Sequence, residues 1–598
     1  MSMLIILVMV ISSCGQASPT STTPTTVQGT VIQPTNTPTT PVKPTSPPTA
    51  TPSTPAVSGP KYGGVLTIIP DADTVIFDDA WTTPGLRNLS LTNEEVFQGD
   101  WTKGPAGTGE VTWRYVTFEG IQNYVGRGLA EKWELNPSNF TLTLNIRKGV
   151  YWHNKPPTNG RELTADDIAY SINRQWTSPQ SYLRQAYPGP SKIETPDKWT
   201  VVLTYKSFTE LVTPFMQTCD YMTIWPADAG KQFGDFRDWR NSIGTGPYMF
   251  TDYVKGASMT FTKNPNYWDT DPIGPGKGNK LPYLDGVKYL NIMDISTQMA
   301  AMRTGKADYG AFQWENAATL KKSNPELMSE KAMTVSLKFI WLRTDNPDFP
   351  WSKLKVRQAM HMAVDYNAIL KSYYGNDGDF YNFPAPAIQE ASDYRVPFKE
   401  LPQNVQELFS YQPDKAKQML TEAGYAKGFD LEVVCEIKDL DLLSIYKDYF
   451  SKIGVNLIMD PKELAVFTSI GAARTHKHAY FGTTSVNVPF HLVPVRPASA
   501  SLRNWSMSED KLVDDAWKGI WDNFLDWNKR CKIFKDITPH IIEQCYGISS
   551  PSWYNHFLWQ PWLKNFHGEL TIGMTTRYNW AKWVWLDQDL KEKMTGSR

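Results

Sequence analysis

The chain has 598 residues, of which 41% are apolar and 20% charged, and its formal net charge is −1. A balance this close to zero sets up no global field for nucleic acid or for an acidic membrane surface. The length exceeds what one small core organises and implies two or three domains.

The first element is an apolar run from Leu4 to Ile11, followed by Ser12, Ser13 and Cys14. About eight residues are too few for a spanning helix, which needs roughly 20. They suit the hydrophobic part of an export signal. Ile11-Ser12-Ser13-Cys14 resembles a bacterial lipobox, which makes Cys14 the expected lipidation site and residues 1–13 the signal. No Lys or Arg precedes the run, a departure from the usual basic start. Residues 14–60 follow as an expected tether. From Pro19 to Pro60 the chain is mostly Thr, Pro, Ser, Val and Ala, with one lysine and no aromatic residue. Such a stretch buries too little apolar surface to offset the entropy of ordering. Extended as polyproline II, it would reach on the order of 100 Å.

The folded body begins near Tyr62, where Gly63 and Gly64 lead into an apolar strand ending at Ile69. Phe140, Leu142, Leu144 and Ile146 alternate with polar residues and predict a half-buried strand. Asn159-Gly160 marks a turn, and Thr164 with Asp167 predicts a capping box at a helix start. A strand is expected from Thr200 to Tyr205. Val356, Met360, Ala363, Val364, Ile369 and Leu370 have helical spacing. Pro413 opens a helix that Gly424 closes. Strand Phe429 to Cys435, helix Leu442 to Ile453 and strand Val455 to Met459 then read as a βαβ unit with parallel strands. The body is therefore expected to be α/β. It has no later apolar run long enough to cross a membrane.

Four cysteines remain after Cys14: Cys219, Cys435, Cys531 and Cys545. They lack metal-ligand spacing. Cys531 and Cys545 are candidates for a disulfide, with buried free thiols as the alternative. His476 and His478 form a weak two-imidazole motif without a third ligand. Asp166-Asp167 and Asp514-Asp515 read as caps or solvated helix faces rather than catalytic carboxylates, and Trp152-His153 as structural. No nucleophile elbow, phosphate loop or zinc-protease motif is present. No catalytic residue, metal site or cofactor is expected, and the protein is not expected to be an enzyme.

The motifs converge on a family. Gly128-Leu129-Ala130-Glu131-Lys132-Trp133, the strand ending in Arg147-Lys148-Gly149-Val150, then Trp152-His153 and Leu163-Thr164-Ala165-Asp166-Asp167-Ile168 resemble the signature block of extracellular solute-binding proteins of the peptide/nickel type, which serve ABC importers. Gly244-Thr245-Gly246-Pro247-Tyr248, Asn264-Pro265-Asn266-Tyr267-Trp268, Met302-Arg303-Thr304-Gly305, Val356-Arg357-Gln358-Ala359 and Asn504-Trp505-Ser506 follow in the same order. The resemblance implies a two-lobed periplasmic-binding-protein fold of the large, three-subdomain form, with a hinge and a central cleft. By analogy, lobe I comprises residues 61–310 and 563–598, and lobe II residues 311–562, with crossings near Tyr309-Gly310 and Lys564.

The same resemblance implies a monomeric extracytoplasmic receptor, held to the membrane by its lipid, that closes on a solute and delivers it to permease subunits. A sensing or adhesion receptor and an extracellular polysaccharide hydrolase are the alternatives. In peptide-binding members of the family an aspartate of a G-D-x-x-D-P-like loop pairs with the peptide's α-amine. Here Ser485 stands at that place, ahead of Pro489, which favours an oligosaccharide or other neutral solute over free-amine peptides. The expected ligand contacts are Trp314, Phe481, Thr483, Ser485, Asn504 and Trp505.

Overall fold

The computed structural model describes residues 59–598 except 72, 74–75, 82–88, 116–123, 213–221, 487–488 and 574–576. Cys14, the tether up to residue 58 and Cys219 lie outside the described residues. In chain order the strands are β1 (Val65–Ile68), β2 (Ala130–Asn136), β3 (Thr141–Ile146), β4 (Lys192–Asp197), β5 (Thr200–Thr204), β6 (Tyr248–Val254), β7 (Ser258–Lys263), β8 (Gly286–Leu290), β9 (Tyr309–Phe312), β10 (Met328–Met333) and β11 (Ser336–Leu342). They continue as β12 (Gly378–Asp379), β13 (Phe429–Glu436), β14 (Val455–Lys462), β15 (Ala479–Ser485), β16 (Gly547–Ser549), β17 (Ser552–Trp559), β18 (Leu563–Lys564) and β19 (Trp585–Leu586).

The first lobe is built on the sheet β10-β17-β9-β1-β8-β7-β6, with β12 added against β17. The second is built on β14-β13-β15-β11-β16. A separate four-stranded sheet, β2-β3-β5-β4, forms the extra subdomain. The alternation read in the sequence places Leu142, Leu144 and Ile146 of β3 in the core. Helix Ala165–Thr177 starts with the expected Thr164–Asp167 capping box. Asp167 also takes a bidentate ion pair from Arg161, at 2.7 and 2.8 Å.

The βαβ reading holds: β13 and β14 are parallel from Phe429↔Val455 to Glu436↔Lys462, joined by helix Leu440–Lys452. Helix Pro413–Glu422 ends before Gly424, whose φ of 98° suits the terminating position. The helical pattern from Val356 is two helices, Leu354–Met362 and Tyr366–Ser372. The break lies where Asp365 caps the second helix through the N–H of Ala368.

The lobe boundaries differ from the expectation. β9 pairs with β1 and β17, and β10 pairs with β17 from Met328↔Trp559 to Met333↔Tyr554. These strands satisfy their backbone groups within the first sheet. Phe312, Ala317 and Leu320 pack there with Ile69, Met302 and Leu558. The chain therefore crosses between Met333 and Ser336 and returns between Ser549 and Ser552. The first lobe's sheet is built from residues 59–334 plus 551–598, and the second lobe from 335–550, of which β12 reaches back to pair with β17. Trp559, Trp562, Trp580, Trp583 and Trp585 are all buried where the returning chain seals the first lobe.

One buried apolar cluster joins Leu66 and Tyr248 of the first lobe, Leu142 and Ile168 of the subdomain, and Trp341 and Trp521 of the second lobe. Another, with Ile340, Val433 and Phe481, belongs to the second lobe alone. Cys435, Cys531 and Cys545 are buried, and Cys435 and Cys545 are free thiols. Cys531 lies in the helix Trp527–Glu543 and Cys545 just beyond its end. A rise of 1.5 Å per residue separates their Cα atoms by about 20 Å, whereas a disulfide needs them within about 7 Å.

Candidate functional site

Two cavities lie along the junction of the halves. The smaller, about 330 Å³, sits at the hinge. Its walls include Ile69 and Asp71 past the end of β1, Thr334 to Ser336 of the crossing, and Asn555 of β17. Its charges are paired: Arg577 with Asp71, and Arg114 with Glu330 at 3.0 Å.

The larger cavity, about 570 Å³, opens between the extra subdomain and the second lobe. Such a volume is ordinary for a small-molecule site. Tyr182, Tyr187 and Glu210 face Thr468, Arg496, Trp505 and Trp517 across it. The walls touch at its margins, where Tyr187 meets His491 edge-on at 5.8 Å and Phe208 meets Phe524 at 6.5 Å. Burial and the neighbouring Arg530 and Arg496 push the His491 imidazole down to about 3, so it is neutral at pH 7.

Trp505 does line this cavity. Its ring lies 5.0 Å from Tyr480 and its Nε1–H donates to the carbonyl of Gly471 at 3.0 Å. Gly482 makes that approach possible, since a Cβ there would stand 3.1 Å from the Trp505 ring and 2.5 Å from Tyr480. Thr483 and Ser485 are exposed at the end of β15, in register with Lys338 and Ser336. Ser485 Oγ is 3.4 Å from Ser336 Oγ, which places it at the rim of the hinge cavity. Positions 487 and 488 of the same loop lie outside the described residues.

The other expected contacts are structural. Phe481 is fully buried in the second lobe's own cluster; it shares a face of β15 with Thr483 and Ser485, which lie farther along the strand where that face is uncovered. Asn504 is fully buried, and its amide is committed to the carbonyls of Arg496 and Ser508 at 2.7 and 3.1 Å. Its Oδ1 accepts from Ser506 at 2.6 Å. Trp314 opens the helix Trp314–Ser323 and lines neither cavity. A Cβ on Gly375 would fall 2.4 Å from its ring, so Trp314 packs on the turn before β12.

His476 and His478 do not converge on a metal: His476 Nε2 bonds the Trp505 carbonyl at 2.8 Å, and His478 Nδ1 accepts from the Glu432 N–H at 3.2 Å. Among the described residues no group of acids, histidines and cysteines could hold a metal ion. His153 is likewise structural, bonded to the carbonyl of Gly246 at 3.1 Å and the N–H of Gly244 at 3.2 Å.

Tyr182, Tyr187, His491, Arg496 and Trp517 were not legible as site residues. They come from short or distant elements of two different bodies, Tyr182 at the start of the helix Tyr182–Ala186 and Trp517 within the helix Lys511–Asp522, with His491 at the end of a single 3-10 turn and Tyr187 and Arg496 between elements. The one local signal, an arginine between prolines at Pro494-Val495-Arg496-Pro497, has no periodicity to give it direction.

Residues 125–474 match the model of the bacterial extracellular solute-binding proteins, family 5 (middle region). The chain is 29% identical over 350 residues to heme-binding protein A of Haemophilus influenzae, covering 55% of this chain and 59% of that one. It is 28% identical over 337 residues to the dipeptide-binding protein of Escherichia coli, covering 54% and 59%. These matches thus span about six-tenths of each relative's own length. Among solved structures, the oligopeptide-binding protein AppA of Bacillus subtilis with a nonapeptide superposes with a TM-score of 0.66 at 20% identity, over 88% of this chain and 99% of that one. Two lobes joined by a double crossing, cavities at their junction and a family match over more than half of the chain agree: the chain belongs to the bacterial extracellular solute-binding proteins, family 5.

Proposed function

We propose that the protein is an extracytoplasmic receptor that captures a solute between its lobes, releases it unchanged and passes it to an ABC import permease. The observation that carries this is the pair of cavities at the junction of bodies linked by two crossing segments. A ligand that touches both sides binds the closed form better, and it shifts the equilibrium only by that difference. Among the described residues no helix is long and apolar enough to cross a membrane. Cys14 is the proposed lipid anchor. A tether of that kind confines the receptor near its permease and raises their effective concentration.

Among the described residues each cavity wall holds a single carboxylate, Glu210 in the larger and Asp71 in the smaller, so neither has the facing pair a glycoside hydrolase uses. The test is small-angle scattering of the protein before and after addition of small-molecule extract from its host, with native mass spectrometry of the complex. A contraction together with an intact bound mass is the expected result. Chemical turnover of the bound molecule would favour the hydrolase reading instead.

A further inference from the structure

The two cavities differ in charge. At the hinge each arginine has its carboxylate. The larger cavity has two guanidinium groups in its walls, Arg496 and Arg503, and a single carboxylate, Glu210, which already accepts the backbone N–H of Lys206 at 3.3 Å. Arg496 lies flat on Trp517, 3.7 Å from the ring centroid, and its buried Nε has no hydrogen-bond acceptor. Arg503 lies over Tyr182 at 5.7 Å. Neither side chain forms an ion pair or hydrogen bond among the described residues.

Asp514, the acid whose charge acts on Arg496, is held by Lys518 at 2.8 Å. Stacking uses the faces of a guanidinium and leaves its edge, a rigid fork of donors suited to a carboxylate. A partly buried cation without a counter-charge is costly, and burial does depress Arg496 below the usual arginine range.

We propose that the larger cavity takes a planar organic acid, its carboxylate against Arg496 and Arg503 and its flat body between Tyr182 and Tyr187 on one side and Trp505 on the other. This rests on the receptor reading and narrows its solute class. A sugar would find stacking surface here but would leave both arginines without an anion. A ligand anchored by an ammonium group would meet two like charges. The anion also supplies a reason to close, because Arg496 and Arg503 belong to the second lobe while the tyrosines belong to the subdomain.

The experiment is calorimetric titration of the protein with two probe pairs of matched shape, indole-3-acetate with indole-3-acetamide, and 4-phenylbutyrate with 4-phenylbutyramide. In at least one pair the acid is expected to bind tenfold or more tightly than its amide, with affinity falling as salt rises. Arg496→Gln and, separately, the exposed Arg503→Gln are expected to abolish the preference for the acid while the circular dichroism spectrum stays unchanged. Equal binding of acid and amide, or no binding in either pair, overturns the assignment. Scattering separates the two levels of the argument. Contraction with a neutral oligosaccharide overturns the organic acid and leaves the receptor intact, whereas no contraction with any host extract removes the receptor reading as well.

Discussion

The backbone N–H of Thr334 donates to the carbonyl of Trp553 across 2.8 Å. These residues stand on the outgoing and returning passages between the lobes. On the far side of the same crossing, Ser550 N–H donates to the Lys338 carbonyl at 2.8 Å. Lys338 N–H in turn reaches Ser550 Oγ at 3.3 Å. The double crossing is therefore a zipped two-stranded ribbon rather than a pair of loose linkers, so a closing of the lobes would bend paired strands.

Thr334→Pro removes the donor of that bond and leaves the Trp553 carbonyl unpaired. The expected loss is about 1–3 kcal/mol in urea unfolding, together with a changed extent of closure in scattering. Thr334→Ser keeps the donor and the hydroxyl and is expected to behave as the parent. If proline at this position leaves both stability and closure as they were, the paired ribbon is not what guides the motion.

Trp505 has two roles that can be separated. Trp505→Ala removes both the ring on Tyr480 and the bond to Gly471, with an expected cost of about 2–4 kcal/mol. Trp505→Phe keeps a ring and removes only the bond, at about 1 kcal/mol. Both are expected to weaken ligand binding, alanine by more than tenfold. The hydrogen bond to Gly471 is the reason a lowered melting temperature is expected alongside weaker binding.

Ser485→Asp places a carboxylate at the exposed rim, the position to which the family resemblance assigns the α-amine-binding acid of peptide-binding members. A charge-assisted bond to an α-amine is worth about 1.5–3 kcal/mol. Affinity for a free-amine dipeptide is thus expected to rise at least tenfold, while binding of the same dipeptide N-acetylated does not change. An equal response to both peptides would place the amine elsewhere.

His361 is fully buried, with Nδ1 2.9 Å from the carbonyl of Leu408. Burial lowers its imidazole from the ordinary 6.5 to about 4. In that window the unfolded chain holds a proton that the folded chain does not, so stability is present above pH 6.5 and lost as pH falls toward 4. Each such group contributes a slope of about 1.4 kcal/mol per pH unit. Buried Asp79, raised to about 6, acts in the opposite sense over part of the range, so the test is a difference. His361→Asn, which can still donate to Leu408, is expected to make the pH dependence between 6.5 and 4 shallower by one proton. An unchanged slope in urea titrations at several pH values would remove His361 from this account.

Local patterning was enough to define the elements of the body. Alternation in β3, the Thr164–Asp167 cap and the β13–helix–β14 unit depend on neighbours within about 35 residues, and the chain writes such periods directly. The family motifs made the lobed α/β architecture legible as well. The crossing points were not, because β9 and β10 look like any short strand until their pairing with the distant β17 is known. Phe481 and Asn504 stood in the expected stretch, but how far along β15 its shared face is covered and the burial of the Asn504 turn depend on what packs over them. The cavity's arginines show the same limit. Sequence records that Arg496 and Arg503 are cationic, and only the arrangement in space decides that among the described residues neither forms an ion pair, since Coulomb attraction acts on distance and burial rather than on order along the chain.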